Sequence, residues 1–469
     1  MSKSIYIILL ITITLYAASC RKDNKITTSP NATLLTSVDS LSFDTVFTTV
    51  GSITKPIKII NTNNQKLLLS QVRLLKGSGS SFRINVDGST GPVVSNVELA
   101  ANDSTYIFVN ITVNPTAANL PFVITDSILI QYNGNNTYIK LQAYGLNAVF
   151  LNNTTITANT TWNNAKPYVL LGGVRVDTTA ILTITEGARI YAHAGATLIV
   201  DGTLITQGKR WDSTRITFTG DRLDEPYKNY PASWPGIWLR PSSKNNQIQY
   251  TNILNAYQAI IVDGASVNAA PKLILNETII DNALDVGILA INSSIQAKNC
   301  LVSNCGKNIG IALGGTYQIE HSTVVSISNS NILHKDPVLT VLNYSRVGNT
   351  VLVAPLSAVF RNCIFWGAFG TAEDEVLADK AGSTPYNVSF TNCLYKVKTT
   401  LSTLITASNS LANATPLFDS INTSKGIYNF RHKLGSPTLN VGGASSIAID
   451  LDGAMRPVGI ADMGCYERQ

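Results

Sequence analysis

The side chains best suited to chemistry gather between Gly220 and Trp234. Asp221, Arg222, Asp224, Glu225, Tyr227, Tyr230 and Trp234 fall close together there. Aromatic faces stack on sugar rings, and carboxylates and guanidinium groups hydrogen-bond hydroxyls. Long loops on rigid scaffolds are where such residues collect, so this segment is the candidate glycan-binding site. The alternative reading takes Trp234-Pro235-Gly236-Ile237-Trp238 as the start of a strand with both tryptophans packed. A second acidic segment, Glu373-Asp374-Glu375 with Asp379, reads as a short solvated helix, because acids favour helix N-termini. Asp450-Leu451-Asp452-Gly453 begins like an EF-hand loop but lacks the Glu that such a loop needs, so it reads as a turn. His193, His321, His334 and His432 stand alone in the sequence and read as solvated or corner residues. No CxxC or Cys-His ligand spacing occurs. These patterns assign no catalytic residue, no metal and no cofactor.

The elements that must position these residues are strands. In 469 residues only 14% are charged, 45% are hydrophobic, and 32 are glycine. Amphipathic helices need more Glu, Lys and Arg than this, whereas short strands and tight turns need the Asn, Thr, Ser, Ile and Val that dominate here. The net charge of +6 is spread along the chain, and no basic run is interleaved with aromatics, so nucleic acid is not an expected partner.

Residues 1–19 have the form of a secretion signal: Lys3, an apolar run from Ile5 to Tyr16, then Ala17-Ala18-Ser19. Cys20 follows at the junction. Leu15-Tyr16-Ala17-Ala18-Ser19-Cys20 resembles a bacterial lipobox, and the resemblance implies removal of the leader and lipidation of Cys20. Arg21-Lys22-Asp23-Asn24 is similar to the surface-export signal of Bacteroidetes lipoproteins. Residues 20–33 are then the lipid anchor and a flexible polar tether. Asp-Ser and Asp-Thr pairs such as Asp39-Ser40 and Asp126-Ser127 look like the O-glycosylation sequence of exported Bacteroidetes proteins.

Residues 34–148 alternate apolar and polar positions in short runs, such as Tyr106-Ile107-Phe108-Val109-Asn110-Ile111, with turn signals such as Asn133-Gly134 between them. About seven such strands in about 110 residues predict an antiparallel sandwich, and the stretch resembles Ig-like modules of bacterial surface proteins. From residue 149 the period changes. Apolar stretches of three to five residues recur between Gly, Asp and Asn, as in Leu198-Ile199-Val200-Asp201-Gly202-Thr203-Leu204. That is the rhythm of a solenoid. Asn precedes Cys at Cys300, Cys305, Cys363 and Cys393, the last two 30 residues apart in matching frames. These four cysteines read as buried packing groups, as free thiols in preference to disulfides, and with Cys465 the cysteines besides Cys20 number five, so at least one has no partner within the chain.

Residues 149–469 resemble right-handed parallel β-helices of the pectin-lyase-like type. The ending Asp450-x-Asp452-Gly453, Arg456-Pro457, Asp462-Met463-Gly464-Cys465-Tyr466-Glu467 resembles the close of many bacterial surface β-helix proteins, and its expected role is a C-terminal cap. The fold class is all-β: an Ig-like sandwich followed by a β-helix. Hydrolases of that fold, of the polygalacturonase kind, carry strings such as Asn-Thr-Asp and Gly-His-Gly that do not occur here. The expectation is a non-enzymatic lipoprotein, lipid-anchored at the outer membrane and facing the cell surface. Its β-helix would bind a glycan or another surface, and the expected state is a monomer. A polysaccharide lyase or glycoside hydrolase with an unrecognised site is the alternative, and a purely structural envelope protein is the third reading.

Overall fold

The computed structural model describes residues 25–47, 51–114 and 122–469. The leader, Cys20 and Arg21-Lys22-Asp23-Asn24 lie outside them. The chain divides into two compact units, 1–147 and 148–469.

The first unit is a sandwich of two five-stranded sheets. One orders Leu34–Thr36, Lys55–Asn61, Ser104–Ile111, Phe82–Val86 and Ser89–Thr90. The other orders Ser40–Phe47, Asn135–Leu146, Phe122–Tyr132, Leu67–Leu74 and Val93–Leu99. All pairings are antiparallel except that of Ser40–Phe47 with Asn135–Leu146. Alternation does the sorting. Ile107, Val109 and Ile111 point into a core with Ile57, Ile59, Phe82 and Ile84, while Tyr106 and Phe108 stay exposed. Residues 25–33 are not a free tether. Thr27 N–H donates to the Lys66 carbonyl, and the amides of Asn133 and Asn135 donate to the carbonyls of Thr27, Ser29 and Pro30. The turn meant to close a hairpin thus also supplies the donors that hold this segment down.

The second unit is a parallel β-helix with three faces. Each coil contributes three short strands, for example Leu198–Val200, Thr203–Gln207 and Ile216–Gly220, and each strand pairs in parallel with its counterpart one coil on. The first two faces form one continuous sheet, because Val286–Lys298 and Lys307–Glu320 each bend around the corner between them. The third face is an eleven-stranded sheet. Interior positions stack by type, as in Leu198, Ile237, Ile260, Ile288 and Ile309, and near one end by ring, with Phe365 and Phe390 stacked at 5.1 Å.

The corner between the second and third faces repeats a dipeptide. Its first residue adopts the left-handed conformation: Tyr250, Glu277, Asn299, His321, Asn362, Asn392 and Asn409 have φ of 43–54°. Asn tolerates this at least cost among residues with a Cβ, which explains its recurrence. The second residue is Thr251, Thr278, Cys300, Ser322, Cys363, Cys393 or Ser410. In every case its Oγ or Sγ hydrogen-bonds the carbonyl two residues back. All five cysteines among the described residues are buried and free. Their rungs are not one set: Cys300, Cys363 and Cys393 share this corner, whereas Cys305 follows Asn304 at the corner leaving the third face.

The C-terminal segment runs back along the flank of the coil. Asn392 donates to the Val441 carbonyl, Asn362 to Gly443, Asn299 to Ile449, Arg215 to Leu451 and Arg210 to Gly453. As the tail advances, its partners recede. Met463, Cys465, Tyr466, Phe418 and Phe430 cover outward-facing Leu301, Val325, Ile364 and Leu394 of the third face, making a second apolar layer outside the solenoid. The motif ties itself together. Asp450 accepts N–H groups from Asp452, Ala454 and Glu467, and Glu467 accepts those of Val458 and Asp462. Buried Arg456 reaches Glu467 at 3.0 Å, Asn299 at 2.7 Å and the Gly464 carbonyl at 3.0 Å.

Candidate functional site

The segment from Gly220 to Trp234 leaves the third face and returns to the first. It is held against the solenoid by corner amides. Asn255 Nδ2 donates to the Lys228 carbonyl at 2.9 Å, Asn282 Nδ2 donates to Asn229 at 2.9 Å, and the two amides are linked at 2.8 Å. A single turn of 3₁₀ helix, Tyr227–Asn229, forms its apex.

The loop brings most of the expected residues together. Asp221 Oδ2 lies 2.8 Å from Nδ1 of His193 on the preceding coil. Arg222 binds both oxygens of Asp224, at 2.8 and 3.0 Å, and these hydrogen bonds hold its guanidinium above the usual arginine range. The same guanidinium lies 4.0 Å from the Tyr227 ring centroid. Tyr230 meets Tyr227 edge to face at 5.4 Å, and both rings are about two-fifths exposed. Glu225 pairs with Lys228 at 2.7 Å in solvent. Trp234 does not belong to this group. It is 1% exposed, donates Nε1–H to the Leu254 carbonyl and stacks on Phe218, so it has no face for a ligand. The strand-start reading explains it: the residue falls inward just before Ile237–Leu239.

Trp238, expected to be packed, takes the middle position of that strand and faces outward. It stands in register with Arg175 and Ile199 before it and Ile261 and Leu289 after it. Asp201, almost fully covered, bridges Arg175 at 2.6 Å and Arg240 at 3.3 Å, and Arg240 lies 5.5 Å from the Trp238 ring. Strand alternation around Ile237-Trp238-Leu239 is the signal that distinguishes the two tryptophans. Nothing in the sequence signals the pairing of His193 with Asp221, because it joins different coils.

Of the histidines expected in solvent or at corners, three are buried, and His321 is one of the corner residues. His432 and His321 lie under the tail, and His321 Nε2 accepts from Asn362 Nδ2 at 2.8 Å. Burial pushes His321 down to about 3, and the Arg456 cation adds to this. His334 Nε2 lies 2.9 Å from both oxygens of Glu375. The segment expected to be a helix there is extended: Val376–Asp379 is a strand, and Glu375 is fully buried against His334, with half-buried Lys396 reaching it at 3.6 Å. The in-register demand of the solenoid overrides the local preference of its acids. Gly367 permits the arrangement, since a Cβ there would sit 2.1 Å from both His334 Nε2 and Glu375 Oε1. Among the described residues no group of three or more His, Cys, Asp or Glu is arranged to hold a metal ion.

No protein-family model matches the chain, and no curated protein matches it. Among solved structures it is similar to a family 123 glycoside hydrolase from Clostridium perfringens, described for its hydrolysis of glycolipid glycans, at 12% identity and a TM-score of 0.18. The match spans 27% of this chain and 26% of that one. At that TM-score the likeness supports neither a fold nor an activity.

Proposed function

We propose that the protein is a non-enzymatic, lipid-anchored cell-envelope protein whose β-helix binds a glycan. The observation that carries this reading is the Arg222–Tyr227–Tyr230 stack, two exposed rings and a cation held in fixed geometry by amides of the next two coils. Aromatic rings with nearby hydrogen-bonding groups suit the alternating apolar and hydroxyl-bearing faces of sugars. The acids beside them are engaged by His193 and Arg222, and Asp201 on the first face is bridged by two arginines. A hydrolase or lyase needs a convergent acid or base with freedom to exchange a proton. The lipid anchor at Cys20 and the outer-membrane, surface-facing location rest on the leader alone.

Retention on a panel of neutral and acidic polysaccharides, with release of reducing or unsaturated ends measured alongside, tests the reading. Retention without release is the expected result, and the double variant Tyr227→Ala/Tyr230→Ala is expected to weaken it about tenfold or more. Release of sugar ends that disappears on replacing one acid would establish the enzymatic alternative instead.

A further inference from the structure

The outer side of the second face carries a groove that the loop above does not touch. Two adjoining basins, of about 510 and 690 Å³, share Gln296 and Gln318 as their floor. One wall is the segment Ala265–Pro271, and the other is the tail at Ser446–Ile449. The floor residues are successive rungs of one outward row, and Gln296 Nε2 donates to Gln318 Oε1 at 3.0 Å. In the next row Lys298 stands in register with Glu320, so the floor carries no net charge. Gly315 keeps the corner low. Its φ is 117°, and a Cβ there would meet the Ser293 carbonyl at 2.3 Å.

The walls are fixed. Lys272 is fully buried, and its ammonium donates to the carbonyls of Pro241, Asp263, Gly264 and Ala265, which pins the base of the first wall. Asn268 Oδ1 accepts from Ala270 N–H, and its Nδ2 donates to Asn245. The Asn299–Ile449 hydrogen bond holds the second wall. Ser293, 3% exposed, lines the first basin, and its Oγ has no hydrogen-bond partner among the described residues.

We propose that this groove binds a neutral glycan chain lying along the helix axis. Side-chain amides offer a donor and an acceptor each, which matches hydroxyl groups, and successive rungs repeat at about 4.8 Å, close to the span of a sugar unit. The balanced Lys298 and Glu320 select against a polyanion. An extended peptide is disfavoured because the backbone of the floor is already paired with the coils on either side, leaving no strand edge to extend. The proposal does not rest on the Tyr227–Tyr230 loop.

Titration of the full chain with cello-, manno-, xylo- and chito-hexaose, by calorimetry, tests it. At least one of these is expected to bind, with affinity falling about tenfold in Gln296→Ala/Gln318→Ala. Both residues are exposed, so the thermal transition of that variant is expected to stay within a few degrees of the parent. Loss of hexaose binding in Tyr227→Ala/Tyr230→Ala with full retention in the glutamine variant would place the site at the loop and overturn the groove. The proposal is overturned if no neutral hexaose binds, if the glutamine variant binds as the parent does, or if oligogalacturonate or an extended polyglutamine peptide displaces the hexaose.

Discussion

At the scale of single residues, the corner rungs explain why cysteine recurs without redox chemistry. Burial pushes the Cys300 and Cys465 thiols up to about 12, so the reactive thiolate is suppressed at neutral pH. Cys363 and Cys393 stand where other coils use Ser or Thr for the same hydrogen bond. Cys363→Ser is therefore expected to cost no more than about 1 kcal/mol, whereas Cys363→Leu, which adds bulk and removes the bond, is expected to cost about 1–3 kcal/mol, both read by chemical denaturation. His321 makes a different kind of prediction. Its folded value lies near 3 and its unfolded value near 6.5. Between those limits the unfolded chain holds the extra proton, so stability falls as pH drops below about 6.5 and levels off near 3. Melting curves at pH 7, 5 and 4 are expected to show this slope, and His321→Asn, which installs the residue most common at that rung, is expected to flatten it.

At the scale of elements, the sequence announces strands well and loops poorly. The third-face strands are apolar on both sides, as Val324-Val325 and Ile364-Phe365 show, because the solenoid core covers one side and the tail the other. That pattern is readable as doubly covered strands, and the stacked Phe360 and Phe390 frames are equally plain. What covers the outer side is not readable, since it lies more than a hundred residues away for Leu301. The Glu373–Asp379 segment fails for the same reason: its acids have a local preference, but His334 and Lys396, from neighbouring coils, decide its form. In the candidate site, residue types were legible and their roles were not, as the exchange between Trp234 and Trp238 illustrates. Gly367→Ala tests the buried cluster. Its added Cβ has no room beside His334 and Glu375, so a loss of about 1–3 kcal/mol is expected from denaturant titration, while a Gly at an open turn such as Gly348 is expected to tolerate Ala with a smaller loss set by its positive φ.

At the scale of the whole β-helix, the tail converts a stack of coils into a fastened unit. A bare solenoid holds each coil only through its two neighbours. Here Arg456 links Glu467 and Gly464 of the tail to Asn299 of the coil, all within a buried site. Arg456→Met would leave Glu467 buried without its cation, and a loss of about 3–5 kcal/mol is expected. The informative measurement is the shape of the unfolding curve. Release of the tail is expected to broaden the single transition of residues 148–469 or split it, because coils before and after the break then melt separately; an unchanged, sharp transition at the parent midpoint would show that the tail contributes nothing to cooperativity.

The direction of the tail also bears on the order of events during synthesis. Residues from Val441 to Tyr466 follow every coil in the chain, yet they cover flanks of coils that lie as much as 243 residues before them. Until those residues dock, the third face stays greasy on its outside and the early corners lack their partners. A copy lacking residues 441–466 would therefore present a sticky, unfinished surface along much of the third face.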